Sequence, residues 1–416
     1  MKKLQLSTVS GVIAAALFST AALAGEQVTL NVAAFANYDQ VVRLITPDFE
    51  KQYPNIKINL RSLSFQDHHT ALTTSLSTGA NVPDVAALEV GFIGRLANAG
   101  GLEDLNQAPY NAGSFAERFS PFTVPLGKNN RGEQVAIPVD IGPGTIFYRS
   151  DVLESAGVSA EEMLKDWDSF VEMGKKLKEN NGSYIVDNAS TAMKIVLRSG
   201  LDEGQSVYFG EDNKILVESD RFKEAFRVGK ELFDNDLSAE VNQWSTEWNE
   251  GLRRGDIATQ MFGSWFVGHI RDFISPDTDY WRTAQLPGGT YASWGGTFLS
   301  IPARAEHKEE AWTFIKYMSD RVETQIAALE FGTFPSSVEA QQAPEMNEEM
   351  TILGNQKARL IWRESAERIP AISAHRHDPI AERIIDDAFE KVINHNVDID
   401  KALSDAAKLI KRRARR

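Results

Sequence analysis

Residues 28–63 read VTLNVAAFANYDQVVRLITPDFEKQYPNIKINLRSL, and their periodicities decide the fold. Val28, Leu30, Val32 and Ala34 fall on alternate positions, the period-two signature of a strand. Tyr38, Val41, Val42, Ile45 and Phe49 then recur at three- and four-residue steps along one helical stripe, with a kink or interruption expected at Pro47. Ile56, Ile58 and Leu60 restore the alternation. Beyond them the cycle repeats: a helix from about Asp67 to Ser77, a strand over Asp84–Leu88, and a helical pattern over Phe92–Ala99. Strands and helices in this rhythm predict an α/β fold, a parallel-type sheet flanked by helices on both faces.

In such sheets ligands bind outside the carboxyl ends of the strands. Three loops leave those ends here. The first carries Phe35, Asn37, Tyr38 and Asp39, the second Phe65, Gln66 and Asp67, and the third, residues 89–92, Glu89 with Phe92. Each of these loops offers an aromatic ring and a carboxylate, and the first two add a side-chain amide. Asp39 and Asp67 also suit helix N-capping, and the two roles are compatible because a helix N-terminus in a cleft can serve both. Further on, residues 135–149 run VAIPVDIGPGTIFYR. The spacing predicts a strand, a turn built by Gly142-Pro143-Gly144, and a second strand. Such a turn could carry the chain between two lobes, with Asp140 in the cleft; an ordinary surface turn is the alternative.

Residues 261–302, MFGSWFVGHIRDFISPDTDYWRTAQLPGGTYASWGGTFLSIP, hold the most site-like composition. Trp265 follows Gly263-Ser264, and Trp294 precedes Gly295-Gly296. Glycine lets other groups approach the backbone closely. A flat indole beside such backbone suits a sugar, whose C–H face stacks on the ring while its hydroxyl rim is hydrogen-bonded. Trp265, Trp294, Gly295 and Gly296 therefore join the candidate ligand set, with Trp244. The alternative is that the tryptophans anchor the core. Trp312, on one stripe with Ile315 in a helix starting at Lys308, is expected to be a core residue.

GSW at 263–265, LPGG at 286–289, WGGTFLSIP at 294–302 and EEAWTFIKYMSD at 309–320, in that order, resemble the carbohydrate-binding family 1 of ABC importer extracellular solute-binding proteins. PVDIGPGTIFYRSDVLESAG at 138–157 and FEKQYPNIKI at 49–58 are similar to the same family, so the likeness covers nearly the whole chain. It implies a two-lobed periplasmic binding protein fold of class II type, its lobes joined by three hinge crossings. On that reading the lobes are 25–138 plus 295–345 and 139–294 plus 346–416. It also implies a carbohydrate ligand held between the lobes, and delivery to membrane permease subunits with an associated ATPase. In similar proteins the segment matching IPAISAHRHDP, at 369–379, crosses near the bound sugar. Arg376 is the candidate contact there, its planar fork able to donate to two hydroxyls or to a uronate. Pairing with Asp378 or Glu382 is the competing role.

Composition narrows the functional classes. Residues 1–24 read as a secretory signal peptide: Lys2 and Lys3, an apolar run through Val12–Phe18, and Ala22-Leu23-Ala24 as the cleavage site. That run is too short to span a bilayer. With no cysteine in 416 residues there is no disulfide, no thiolate and no lipidated cysteine, so an unanchored periplasmic protein is expected. Losing the signal removes two lysines and no acid, leaving 42 basic and 58 acidic side chains and a net charge of −16. An acidic chain argues against nucleic acid. About 390 remaining residues call for two domains, the second mainly helical from Asp151 to about Pro287. Helices are expected there at 166–180, 189–199, 219–236 and 245–254, and a closing helix carries Leu403, Ala406, Ala407 and Ile410 on one stripe.

No Walker A, G-x-G-x-x-G, H-E-x-x-H or G-x-S-x-G sequence occurs. His68-His69 and His375-Arg376-His377 lack a carboxylate at metal-ligand spacing, so neither a metal nor a cofactor is expected. The reading is a non-enzymatic binding protein, and a monomer. A secreted glycoside hydrolase is the rival, because aromatics with paired carboxylates also describe its cleft. The same fold serving a non-sugar polar solute is the other.

Overall fold

A computed structural model describes residues 27–275 and 278–414. The signal-peptide reading falls on residues outside these. The opening elements are β1 (Val28–Phe35), α1 (Tyr38–Gln52), β2 (Ile56–Leu63), α2 (Phe65–Thr78), β3 (Val85–Glu89) and α3 (Val90–Ala99). Their causes are local. The α1 stripe of Tyr38, Val41, Val42, Ile45 and Phe49 is buried. Ser64 caps α2, and Gly79 ends it in the left-handed conformation. Pro47 sits inside α1, which runs on to Gln52 without interruption. The β1–β2 register is parallel from Val28 opposite Ile56 to Phe35 opposite Leu63, and β3 adds to the other side of β1, also in parallel.

The chain next builds β4 (Ile137–Arg149), β5 (Thr259–Gly263), β6 (Trp281–Ala284), β7 (Ser293–Ser300) and β8 (Phe334–Pro335). β7 inserts antiparallel between β3 and β4, giving the order β2-β1-β3-β7-β4-β5. The expected parallel sheet is therefore its β2-β1-β3 part, and the later strands are antiparallel because they return from the far half of the chain.

One local reading changes. Gly142-Pro143-Gly144 is not a turn between two strands but lies inside the single thirteen-residue strand β4. Residues 137–143 pair with β7 and β8, and residues 144–149 pair with β5 and β6. Register shifts at Pro138/Asp140 and Ile141/Pro143 mark bulges that bend the strand. The glycines permit this: a Cβ on Gly142 would lie 2.1 Å from the Trp294 carbonyl oxygen, and one on Gly144 would lie 2.7 Å from that of Ala292.

Apolar side chains gather in three cores. One holds β1, α1 and the helix Lys308–Asp320, including Phe49, Trp312, Phe314 and Ile315. A second holds the helices Trp167–Asn181, Ala189–Arg198, Asp220–Asp234, Asp378–His395 and Ile399–Arg413. Leu403, Ala406 and Ile410 are buried in it, with Ala407 packed against it. The third lies between them, where Leu88 and Ile93 share a cluster with Phe147, Phe262, Phe266 and Trp362. Among the described residues no helix is long and apolar enough to cross a membrane.

Candidate functional site

The carboxyl end of β3 delivers Glu89 to the junction of the cores. Glu89 is the N-cap of α3, its Oε2 accepting the Gly91 N–H at 2.7 Å. Burial pushes this carboxyl up to about 7, against the opposing pull of that hydrogen bond; Arg198, Asp140 and Glu382 also lie close enough to act on it. Asp140, on the bent part of β4, accepts the Thr297 N–H at 2.9 Å on Oδ1. Its carboxyl is raised to about 6 by burial, and the Thr297 bonds oppose the rise. Glu89 thus ends β3, and Asp140 sits where β4 pairs with β7 and β8.

The opposing groups come from the other half. Arg198 ends the helix Ala189–Arg198 and lies over the Trp294 ring, 4.6 Å from its centroid. Its guanidinium also stands 3.9 Å from Glu382, which Lys194 approaches to 3.5 Å. The arrangement brings hydrogen-bond acceptors, a cationic donor fork and an indole face to one place. It can grip a polyhydroxylated ring.

Trp265 is half-buried, and its indole Nε1 donates to the Trp294 carbonyl at 2.8 Å. Gly263 and Gly295 serve this packing, since a Cβ on either would fall within 2.7 Å of Trp265 Nε1. Gly296, at φ +127°, lets β7 press against the Asp140 backbone. Trp244 is 53 % exposed and lies nearly parallel to Trp265, with ring centroids 5.9 Å apart.

The first-half aromatics divide. Phe65 is 43 % exposed, with its edge to Phe35, whereas Phe35 itself is buried. Tyr38 is buried too, and with Asp140 it lines a small cavity. Burial, and secondarily the Asp140 charge, holds that phenol protonated, its pKa well above the usual tyrosine value. Asn37 is exposed at φ +81°, and Gln66 is exposed. Asp39 pairs with Arg43 at 3.5 Å, and Asp67 accepts the Ser64 hydroxyl at 2.7 Å in a capping arrangement.

Residues 369–377 run as irregular chain ahead of the helix Asp378–His395, and Ala374 packs against Gly94 of α3. Arg376 is exposed and donates through Nε to His377 Nε2 at 3.0 Å. Neither proposed acid takes it: Asp378 accepts the Ser206 hydroxyl and the His375 N–H, each at 2.8 Å. Burial raises Asp378 to about 7.

His68 and His69 are buried, bonded to the Ala87 and Phe65 carbonyls at 2.7 and 2.8 Å. Among the described residues no cluster of three or more His, Asp or Glu side chains is arranged to hold a metal. Sequence reasoning did not single out Arg198, and it named Glu382 only as a partner for Arg376, whereas Glu382 pairs with Lys194 and Arg198. Nothing local marks them, because each reads as an ordinary charged position of an amphipathic helix.

Two α/β halves around a bent shared strand, with polar groups converging where they meet, define the two-lobed periplasmic binding protein fold. A solved extracellular solute-binding protein of family 1 superposes with a TM-score of 0.79 at 24 % identity, covering 92 % of this chain and 99 % of that one. An ABC transporter associated binding protein from B. animalis subsp. lactis Bl-04, in complex with β-1,6-galactobiose, superposes at 0.76 with 22 % identity, over 92 % and 97 % of the chains. In sequence, the lactose-binding protein of Rhizobium radiobacter is 26 % identical over 391 residues, 86 % of each chain. The model of the bacterial extracellular solute-binding protein family matches residues 33–322. The chain belongs to that family.

Proposed function

We propose that this protein is the periplasmic substrate-binding component of an ABC importer, capturing a mono- to short oligosaccharide between two lobes. The observation that carries the reading is the convergence of Glu89 at the end of β3 and Asp140 on the bent part of β4 with Arg198 over Trp294. Carboxylates that accept hydroxyl protons, a guanidinium that donates, and an indole face are the complement of a sugar's rim and C–H face. The names of the relatives, lactose-binding and galactobiose-bound, point the same way. Residues 25–138 with 295–345, and 139–294 with 346–416, are the lobes of this reading. Ligand biases an open–closed equilibrium about β4 and the other crossings, and permease subunits with their ATPase receive the closed form. The protein releases its sugar unchanged.

Acidic groups outnumber basic ones around the junction, so neutral sugars are favoured over uronates, and Arg376 is peripheral to that preference.

A thermal-shift panel of neutral mono- and oligosaccharides tests the proposal. The right sugar at about 100 times its Kd stabilises by about 2.7 kcal/mol. That sugar should be recovered intact after incubation. Stabilisation only by a non-sugar polar solute would transfer the fold to the rival ligand class, and cleavage of the sugar would make the protein a hydrolase.

A further inference from the structure

The backbone of Glu89 is held by a side chain that stands out of reach of a bound sugar. Its N–H donates to Nε2 of His69 at 3.2 Å. The other ring nitrogen, Nδ1, bonds the Phe65 carbonyl at 2.8 Å, and His69 is fully buried on α2. These partners fix the state of the ring. A backbone N–H can only donate and a carbonyl can only accept, so Nε2 must offer its lone pair and Nδ1 must carry the hydrogen. Burial favours the same neutral form, lowering the His69 pKa to about 4 against the pull of the Phe65 bond, and His68 and Arg95 add to the lowering.

The His69 ring also meets each of the three loops at the strand ends. Phe92 stacks on it at 3.9 Å and 12°, so the turn from Glu89 to Phe92 is held at both of its ends. The Phe65 ring lies 5.0 Å away, and Phe35, which closes β1, lies at 5.4 Å. The adjacent His68 gives the contrast. It is buried on the same helix, but its Nε2 bonds the Ala87 carbonyl at 2.7 Å, in the body of β3. A histidine serving the core alone can do as His68 does. His69 instead uses its second nitrogen on the residue that carries a candidate ligand carboxylate, whose Oε2 is itself tied to the Gly91 N–H at 2.7 Å.

We propose that His69 is a positioning residue for sugar binding: its Nε2 lone pair, kept in one tautomer by the Phe65 carbonyl, fixes the β3–α3 turn so that the Glu89 carboxylate meets a ligand hydroxyl in alignment. This rests on the carbohydrate reading above and names the group that aims one of its acceptors.

Two substitutions separate the two sides of the ring. His69→Gln sets an amide oxygen near the place of Nε2, where it can accept the Glu89 N–H; His69→Asn sets an amide nitrogen near the place of Nδ1, where it can donate to Phe65 but leaves Glu89 unheld. Both give up the stack on Phe92, so thermal stability should fall in both. Calorimetry with a panel of neutral sugars, lactose and β-1,6-galactobiose included, should find the Kd of His69→Gln within about threefold of wild type and that of His69→Asn weaker by about tenfold or more, the order of one aligned hydrogen bond to a charged group. Equal losses in the two variants, or unchanged affinity in His69→Asn, would overturn the positioning role and leave the carbohydrate reading intact. Nitrogen NMR of the unaltered protein gives a check that needs neither variant to fold. At neutral pH His69 should carry its hydrogen on Nδ1, and its Nε2 resonance should move as sugar saturates the site. A hydrogen on Nε2, or an Nε2 resonance indifferent to bound sugar, would overturn the assignment. Binding of none of these sugars by the unaltered protein would remove both readings.

Discussion

Glu89 joins a structural role to the ligand role proposed for it. It caps α3 through the Gly91 N–H and faces Arg198, Asp140 and Glu382. Its carboxyl, at about 7 in the fold, lies above the ordinary 4.5, so the folded state binds that proton more tightly than the unfolded chain does. The sign follows: the Glu89 contribution to stability falls as pH rises from about 4.5 to about 7, and the cost persists above that window. Glu89→Gln, which cannot ionise, should match wild type at pH 4 and exceed its thermal stability at pH 8. A difference of the same size at both pH values, or of opposite sign at pH 8, would contradict this. Such a residue was partly legible. Glu89 enters the candidate set by its place after a strand, and Trp265 and Trp294 by their glycine neighbours. The reason behind the glycines was not legible: they make room for the Trp265 ring and for the crossing of β4 and β7, a contact between segments about 150 residues apart. Arg198 left no signature, because its role arises only when helix and Trp294 meet in space.

The elements were more legible than their pairing. Local periodicity marked β1 to α3 and the helices at 167–181, 189–198, 220–234 and 246–254 to within about two residues. Strand order and direction depend on distant partners, so the antiparallel entry of β7 between β3 and β4 had no local trace. Gly142-Pro143-Gly144 read as a turn because those residues usually make one; tertiary pairing on both edges instead holds them in a bulged strand. That yields an element-scale expectation. Gly142→Ala places a Cβ about where the Trp294 carbonyl oxygen now sits, forcing β4 and β7 apart. It should cost about 1–3 kcal/mol, read as a lower urea midpoint with an unchanged slope. An unchanged midpoint would mean that the crossing tolerates separation and does not fix the geometry of the junction.

At the scale of the whole molecule, two cores assembled from discontinuous segments are bridged by β4 and by a third cluster beneath the polar junction. The helical core contains Ile146 from the strand that begins in the other half, so β4 is placed to transmit relative motion. On the proposed reading, ligand contacts drawn from both halves are made together only when the halves approach, which is the differential affinity a closing equilibrium requires. The chain has no cysteine of its own, so paired spin labels can be introduced without background. Thr70 on α2 and Glu390 on the helix Asp378–His395 are exposed positions on the two halves. The most direct measurement is the electron–electron distance between labels at Thr70→Cys and Glu390→Cys, with and without a sugar shown by calorimetry to be saturating. The account expects the distribution to shift to shorter distances and narrow on binding; an identical distribution with the sugar bound would contradict capture between closing lobes.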